Sequence, residues 1–140
     1  MLIIILFSAV GDSSDLMRLP PGQLKALEAN DKFVYVVIED KAESKTQIEK
    51  CDLSTLTSTT LAPKFFSDVI GIALCGELLV MLTKPEPSQF ELWLLNSDAV
   101  PLKKVIVLVT SLPVAVIEHH SYVFVFCGDG TICKFEIHYL

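Results

Sequence analysis

Basic residues are scarce in this 140-residue sequence: Lys and Arg number 11 against 17 Asp and Glu, for a formal net charge of −6. A nucleic-acid surface needs clustered Lys and Arg to neutralise phosphates. The only local basic pair in a strand-like run is Lys103-Lys104, so no nucleic-acid partner is expected. No segment reaches the about 18–20 consecutive apolar residues that span a bilayer, and no membrane partner is expected either. The cysteines Cys51, Cys75, Cys127 and Cys133 contain no C-x-x-C pair, which removes the usual signature of a zinc site. Histidines are few. His119-His120 occupy a short break, where extended backbone would send adjacent side chains apart and keep both from one metal. Nothing places a nucleophile beside a base or pairs two carboxylates across a cleft. No metal, cofactor or catalytic residue is expected, and the chain is expected not to be an enzyme.

What is present is apolar. Hydrophobic residues make up 51% of the chain and charged residues 20%, which supplies a core and excludes a disordered tail or a coiled coil. Residues 2–7 form a solid apolar run. No Lys or Arg precedes it, and it is shorter than the about 7–15 residues of a signal-peptide core. A buried strand of branched residues accounts for it as well, with a signal remnant as the alternative. If Asp129-Gly130 is a two-residue turn, Cys127 faces Ile132 and Cys133 faces Phe126, which sends the two thiols to opposite sheet faces. A longer loop would change that parity. Reduced core thiols of a cytosolic or nuclear protein are expected.

Three apolar runs recur, beginning at Phe33, Leu78 and Tyr122, at spacings of 45 and 44 residues. Most of their positions are β-branched or aromatic, which suits strands buried on both faces. A second strand follows each: Ile48 to Leu53, Phe90 to Leu95 and Ile132 to Ile137, spaced by 42 residues in both steps. Cys51, Trp93 and Phe135 then share one position, and Leu53, Leu95 and Ile137 another. Alternation with period 2 puts both positions on one face for a neighbouring unit to cover. A further strand-like run precedes each pair, over residues 24–29, 69–74 and 114–117. Residues 57–61 and 102–109 complete a four-strand count. A sandwich also shows strands at short intervals, but it gives no reason for the same four-strand signature to return at about 44 residues. That period marks propeller blades, so the expected fold is all-β, a partial β-propeller of four-stranded antiparallel blades.

The run from Gly128 to Ile137 (Gly-Asp-Gly-Thr-Ile-Cys-Lys-Phe-Glu-Ile) resembles the middle hairpin of a WD40-type blade: a glycine turn, then an alternating strand that ends in an aromatic and an acid. Phe90 to Leu95 and Ile48 to Leu53 are similar to the same strand. The resemblance covers roughly residues 23–140. It departs from the family in having no Trp-Asp pair, since Leu94 follows Trp93, and no Gly-His pair. The family's buried Asp-His network is therefore not carried over. Gly128-Asp129-Gly130 opens onto a strand, not a helix N-terminus, so it is expected to be a hairpin turn and not a phosphate loop.

The expected organisation is one propeller domain: a remnant hairpin over residues 1–22, blades over 23–67 and 68–112, and an incomplete blade over 113–140. Closure needs at least about four blades of 40–45 residues, roughly 160–180 in all. The chain is thus expected to be a fragment or short isoform of a longer protein, or a piece that a partner chain or missing blades complete by covering its edges. Rigid blades hold variable loops, and the loops do the recognition. The expected function is a non-enzymatic protein–protein interaction scaffold, with other proteins as partners. Alternatives are a secreted propeller of hydrolase or receptor type, or a truncated non-functional product. Candidate partner-binding positions are Glu39 and Asp40 in the loop over residues 39–45, Glu86 in the loop over 84–89, and Lys64, Phe65 and Phe66 in the first connection between blades. On the WD40-type resemblance, these loops and the connection over residues 110–113 emerge on one partner-binding rim. Phe65 and Phe66 could anchor a partner there or tuck between blades.

Overall fold

The computed structural model describes residues 3–7, 13–19, 22–40, 45–61, 68–109 and 111–137. Among these lie thirteen strands and no α-helix. Strands β1 (Ile3–Phe7) and β2 (Ser13–Arg18) form a hairpin. Strands β3 (Gln23–Ala29), β4 (Phe33–Asp40), β5 (Lys45–Asp52) and β6 (Thr57–Leu61) form a four-stranded antiparallel sheet in chain order. Strands β7 (Val69–Cys75), β8 (Leu78–Glu86), β9 (Gln89–Leu95) and β10 (Pro101–Val107) repeat it. Strands β11 (Pro113–His119), β12 (Tyr122–Cys127) and β13 (Ile132–Glu136) supply a third sheet of three described strands. The chain divides into two compact units, Met1–Ala62 and Pro63–Leu140.

The repeat extends to irregularities. In the first strand of each sheet one extra residue interrupts the pairing: Lys25 between Leu24 and Ala26, Ile70 between Val69 and Gly71, and Val114 between Pro113 and Ala115. From 25 to 70 and from 70 to 114 the steps are 45 and 44 residues, the same steps that separate the apolar runs. A bulge bends its strand and raises the local twist, so each sheet receives the same distortion at the same place.

Turn chemistry follows the residues. Asn30 Oδ1 accepts the amides of Lys32 and Phe33 at 2.9 and 2.8 Å, closing the β3–β4 turn. Between β11 and β12, His120 and Ser121 both adopt left-handed backbone, with φ of 49° and 66°. Two such residues make the mirror-image turn that matches strand twist. The Ser121 amide donates to Glu118 Oε1 at 3.0 Å and holds it. The expectation that the two histidine rings diverge is corrected here. Their centroids lie 4.0 Å apart, edge to face, because left-handed backbone at His120 replaces the extended backbone assumed from sequence.

Three further corrections concern register. The β12–β13 connection is a three-residue loop, not a two-residue turn. The Cys127 amide donates to the Thr131 carbonyl at 2.9 Å, the Gly130 amide donates to the Cys127 carbonyl at 3.0 Å, and Gly130 takes φ of 89°. Phe126 then pairs with Ile132 and Val125 with Cys133, so Cys127 and Cys133 share one sheet face. All four cysteines are free thiols. The loop expected over residues 84–89 is mostly strand: β8 runs to Glu86, and only Pro87 and Ser88 separate it from β9. Pro85 is tolerated there because the pairing is already interrupted between Thr83 and Glu86. The run expected to continue to residue 109 ends as β10 at Val107.

The second unit has its core between two sheets. Ala73, Val80, Leu82, Phe90, Leu92 and Val107 cluster with Val116, Val123 and Val125, and Cys133, Phe135 and Ile137 pack against that cluster. Alternation along β12 explains the choice: Val123, Val125 and Cys127 are buried, while Tyr122, Phe124 and Phe126 on the other face are half-buried. In the first unit Leu19, Val36, Ile38 and Cys51 form the corresponding cluster, with Val34 and Leu56 against it. Burial pushes the Cys51 thiol above its usual range, and the neighbouring Glu49 carboxylate adds to the effect. Trp93, placed on a covered face from sequence, is only half-buried. Its indole N–H donates to Glu91 Oε2 at 3.2 Å, and Lys104 lies over its ring at 5.3 Å. A polar partner and a cation hold the indole near the surface.

Candidate partner-binding rim

Three connections of the second unit meet at one end of its sheets. The Gly128 amide donates to the Leu112 carbonyl at 2.9 Å, and the Asp129 amide donates to Ser111 Oγ at 3.3 Å. These bonds tie the β12–β13 loop to the β10–β11 connection. Asp129 Oδ1 in turn accepts the Thr131 amide at 2.9 Å, which fixes the loop from within. The β8–β9 turn completes the rim. Pro87 and Ser88 from that turn, Phe90 at the start of β9, and Val109, Ser111 and Leu112 from the connection line a groove of about 240 Å³.

The rim is apolar where a solvent-facing connection would ordinarily be polar. Leu108 is 88% exposed, Leu112 52% and Val114 56%. Single exposed apolar residues are unremarkable on any protein. Here three fall within seven residues beside a groove whose lining includes buried Phe90, and such a patch is what interaction surfaces present. The groove is smaller than the roughly 300–1,000 Å³ of small-molecule sites. It has room for a side chain. The nearby Cys127 thiol is pushed up by burial, with Cys133 and Asp129 adding to the rise, so it lacks the thiolate character of a nucleophile.

The residues singled out from sequence fall in different places. Lys64, Phe65 and Phe66 lie outside the described residues. Glu39 and Asp40 end strand β4 instead of standing in a loop, and Glu39 is ion-paired with Lys25 at 3.3 Å. Glu86 ends β8, exposed, next to the groove residue Pro87. Sequence reasoning missed Phe90, Val109, Leu108 and Leu112 as site residues. The available signal was an apolar residue on each side of the connection over residues 110–113. Among the described residues no group of three or more His, Cys, Asp or Glu side chains could hold a metal ion.

No protein-family model matches the chain, and no curated protein matches it in sequence. The WD40-type resemblance of residues 128–137 therefore has no counterpart among family models. Solved structures do resemble the fold. A chain in the crystal structure of the nidogen/laminin complex, a β-propeller, matches with a TM-score of 0.55 at 14% identity over 77% of the present chain. The present chain spans 40% of the length of that one. The computationally designed Ika4 protein matches with a TM-score of 0.51 at 11% identity, over 86% of the present chain and 95% of its own. Together with the repeated antiparallel sheets, these likenesses define the class: an all-β, partial β-propeller of four-stranded blades.

Proposed function

We propose that this chain is a divergent WD40-like propeller segment that acts as a non-enzymatic protein–protein interaction scaffold in a larger cytosolic or nuclear assembly. The observation that carries the reading is the rim of the second unit, where three connections converge and where Leu108, Leu112 and, at the start of β11, Val114 are exposed beside a groove. Rigid sheets hold these connections, which is how a scaffold presents recognition elements at low entropic cost. The propeller neighbour from the nidogen/laminin structure is itself part of a protein–protein complex, which supports proteins as the partner class. The groove's size, about 240 Å³, favours a side chain over a substrate.

The test compares the whole chain with a Leu108→Glu, Leu112→Glu variant in quantitative proximity labelling from cytosolic and nuclear fractions. Both residues are exposed, so circular dichroism and the thermal midpoint should be unchanged. The expected result is a defined set of proteins labelled by the wild type and lost with the variant. Identical labelling by the two chains overturns the scaffold assignment of this rim.

A further inference from the structure

Position for position, one face of the third sheet stands open where the other sheets are closed. Steps of 42 residues put Ile48, Phe90 and Ile132 at one place in the three sheets. Ile48 is 1% exposed and Phe90 7%, but Ile132 is 55% exposed. Cross-strand partners share a face. The pairs Phe126–Ile132, Phe124–Lys134 and Tyr122–Glu136 therefore lie on one side of the third sheet, with Ile117 opposite Phe124. The other side, through Val123 and Val125, is buried in the core shared with the second sheet. On the open side Ile117 is exposed, and Tyr122, Phe124 and Phe126 are only half-buried. We infer that a second copy of this chain docks on this aromatic face through the same face of its own, related by a two-fold axis.

Charge selects the occupant. Two and four residues beyond Phe90 stand Leu92 and Leu94, and both pack in the core with Val116, Val123 and Val125 of the third sheet. The same positions beyond Ile132 are Lys134 and Glu136. A wholly apolar cover of the kind that closes the second sheet would bury both charges unpaired. Lys134 lies over the Tyr122 ring at 3.9 Å. Among the described residues no carboxylate pairs with it, and no cation pairs with Glu136. The first sheet carries the matching lysine and acid, with Lys50 over the Phe33 ring at 4.3 Å. There the acid, Asp52, is engaged by Ser54 and Thr55 of its own turn. A lysine and an acid two residues apart on one face are self-complementary under a two-fold axis, since Lys134 of each copy meets Glu136 of the other. None of these side chains lines the rim groove, so the dimer and the scaffold reading stand or fall separately.

The test is sedimentation equilibrium of the whole chain at low salt and up to about 1 mM, because one sheet face is a small interface and a weak dimer is expected. The expected result is a reversible rise in mass from one chain to two that stops at two. Lys134→Glu and Glu136→Lys should each weaken dimerisation at least about tenfold, because each sets like charges opposite one another. An equimolar mixture of the two variants should associate within about threefold of the wild type, because both ion pairs then form between unlike chains. Circular dichroism should be unchanged in both. If either variant unfolds, Ile132→Ser at its exposed position carries the same tenfold expectation. A wild type that stays monomeric throughout, assembly that continues past two chains, or single variants that dimerise like the wild type overturn the inference. So does a mixture that associates no better than either variant alone.

Discussion

A Cβ added at Gly71 would stand 3.0 Å from Cγ1 of Val116, so strands β7 and β11 approach at a point where only glycine leaves the neighbour undisturbed. Gly71 follows the bulge at Ile70, and Val116 belongs to the core that the two sheets share. Close approach of backbone to side chain is one reason for glycine within a strand.

Gly71→Val should therefore cost about 1–3 kcal/mol, the range for overpacking a filled core. Gly71→Ala should cost less than about 1 kcal/mol, because a smaller unfolded-state entropy offsets part of the clash. Urea denaturation checks both, with fluorescence of Trp93, the only tryptophan, as the probe. Equal midpoints for wild type and the valine variant would refute the close packing.

Thr60 and Glu49 face each other across β5 and β6, and the threonine hydroxyl donates to Glu49 Oε1 at 2.5 Å. Glu49 is 1% exposed. Thr60→Val keeps the shape and removes the donor, leaving a buried carboxyl group short of a partner. The expected cost is about 1–3 kcal/mol, read as a shift in the denaturation midpoint at constant slope. A companion Thr59→Val change, at the neighbouring exposed position opposite Lys50, should have little effect.

Trp93→Ala should cost about 2 kcal/mol, below the 3–5 kcal/mol of a fully buried aromatic, since the indole is half-buried and one edge meets Glu91 and Lys104. Trp93→Phe retains the ring beneath Lys104 and should recover about half of the loss. Thermal unfolding followed by far-ultraviolet circular dichroism serves for both variants.

Asp52 closes the β5–β6 turn. Its carboxylate accepts the Ser54 hydroxyl at 2.7 Å and the amides of Ser54 and Thr55 at 2.9 and 3.2 Å, which hold the carboxyl below its ordinary range, the Ser54 hydroxyl most of all. A depressed folded value means that the contribution to stability is complete above the unfolded value of about 3.9 and is lost as pH falls through the folded midpoint. Carboxyl carbon shifts should show Asp52 titrating below a typical aspartate. Ser54→Ala should move that midpoint upward.

Much of the architecture was legible in the sequence because strand formation is a local matter. The runs from Phe33 and Tyr122 are dense in β-branched and aromatic residues, the run from Leu78 is solidly apolar, and the three return at 45 and 44 residues. The bulges at Lys25, Ile70 and Val114 keep those steps. Tertiary structure decided what depends on one residue of register or on which segments meet. One extra residue in the β12–β13 loop brings Cys127 and Cys133 to a common face, because side chains alternate with period 2. Left-handed backbone at His120 brings two rings together that extended backbone would separate. The groove joins Pro87, Ser88 and Phe90 to Val109, Ser111 and Leu112, some twenty residues apart in the chain. An antiparallel meander returns every second connection to the same end of its sheet. The groove exists only once those connections have met.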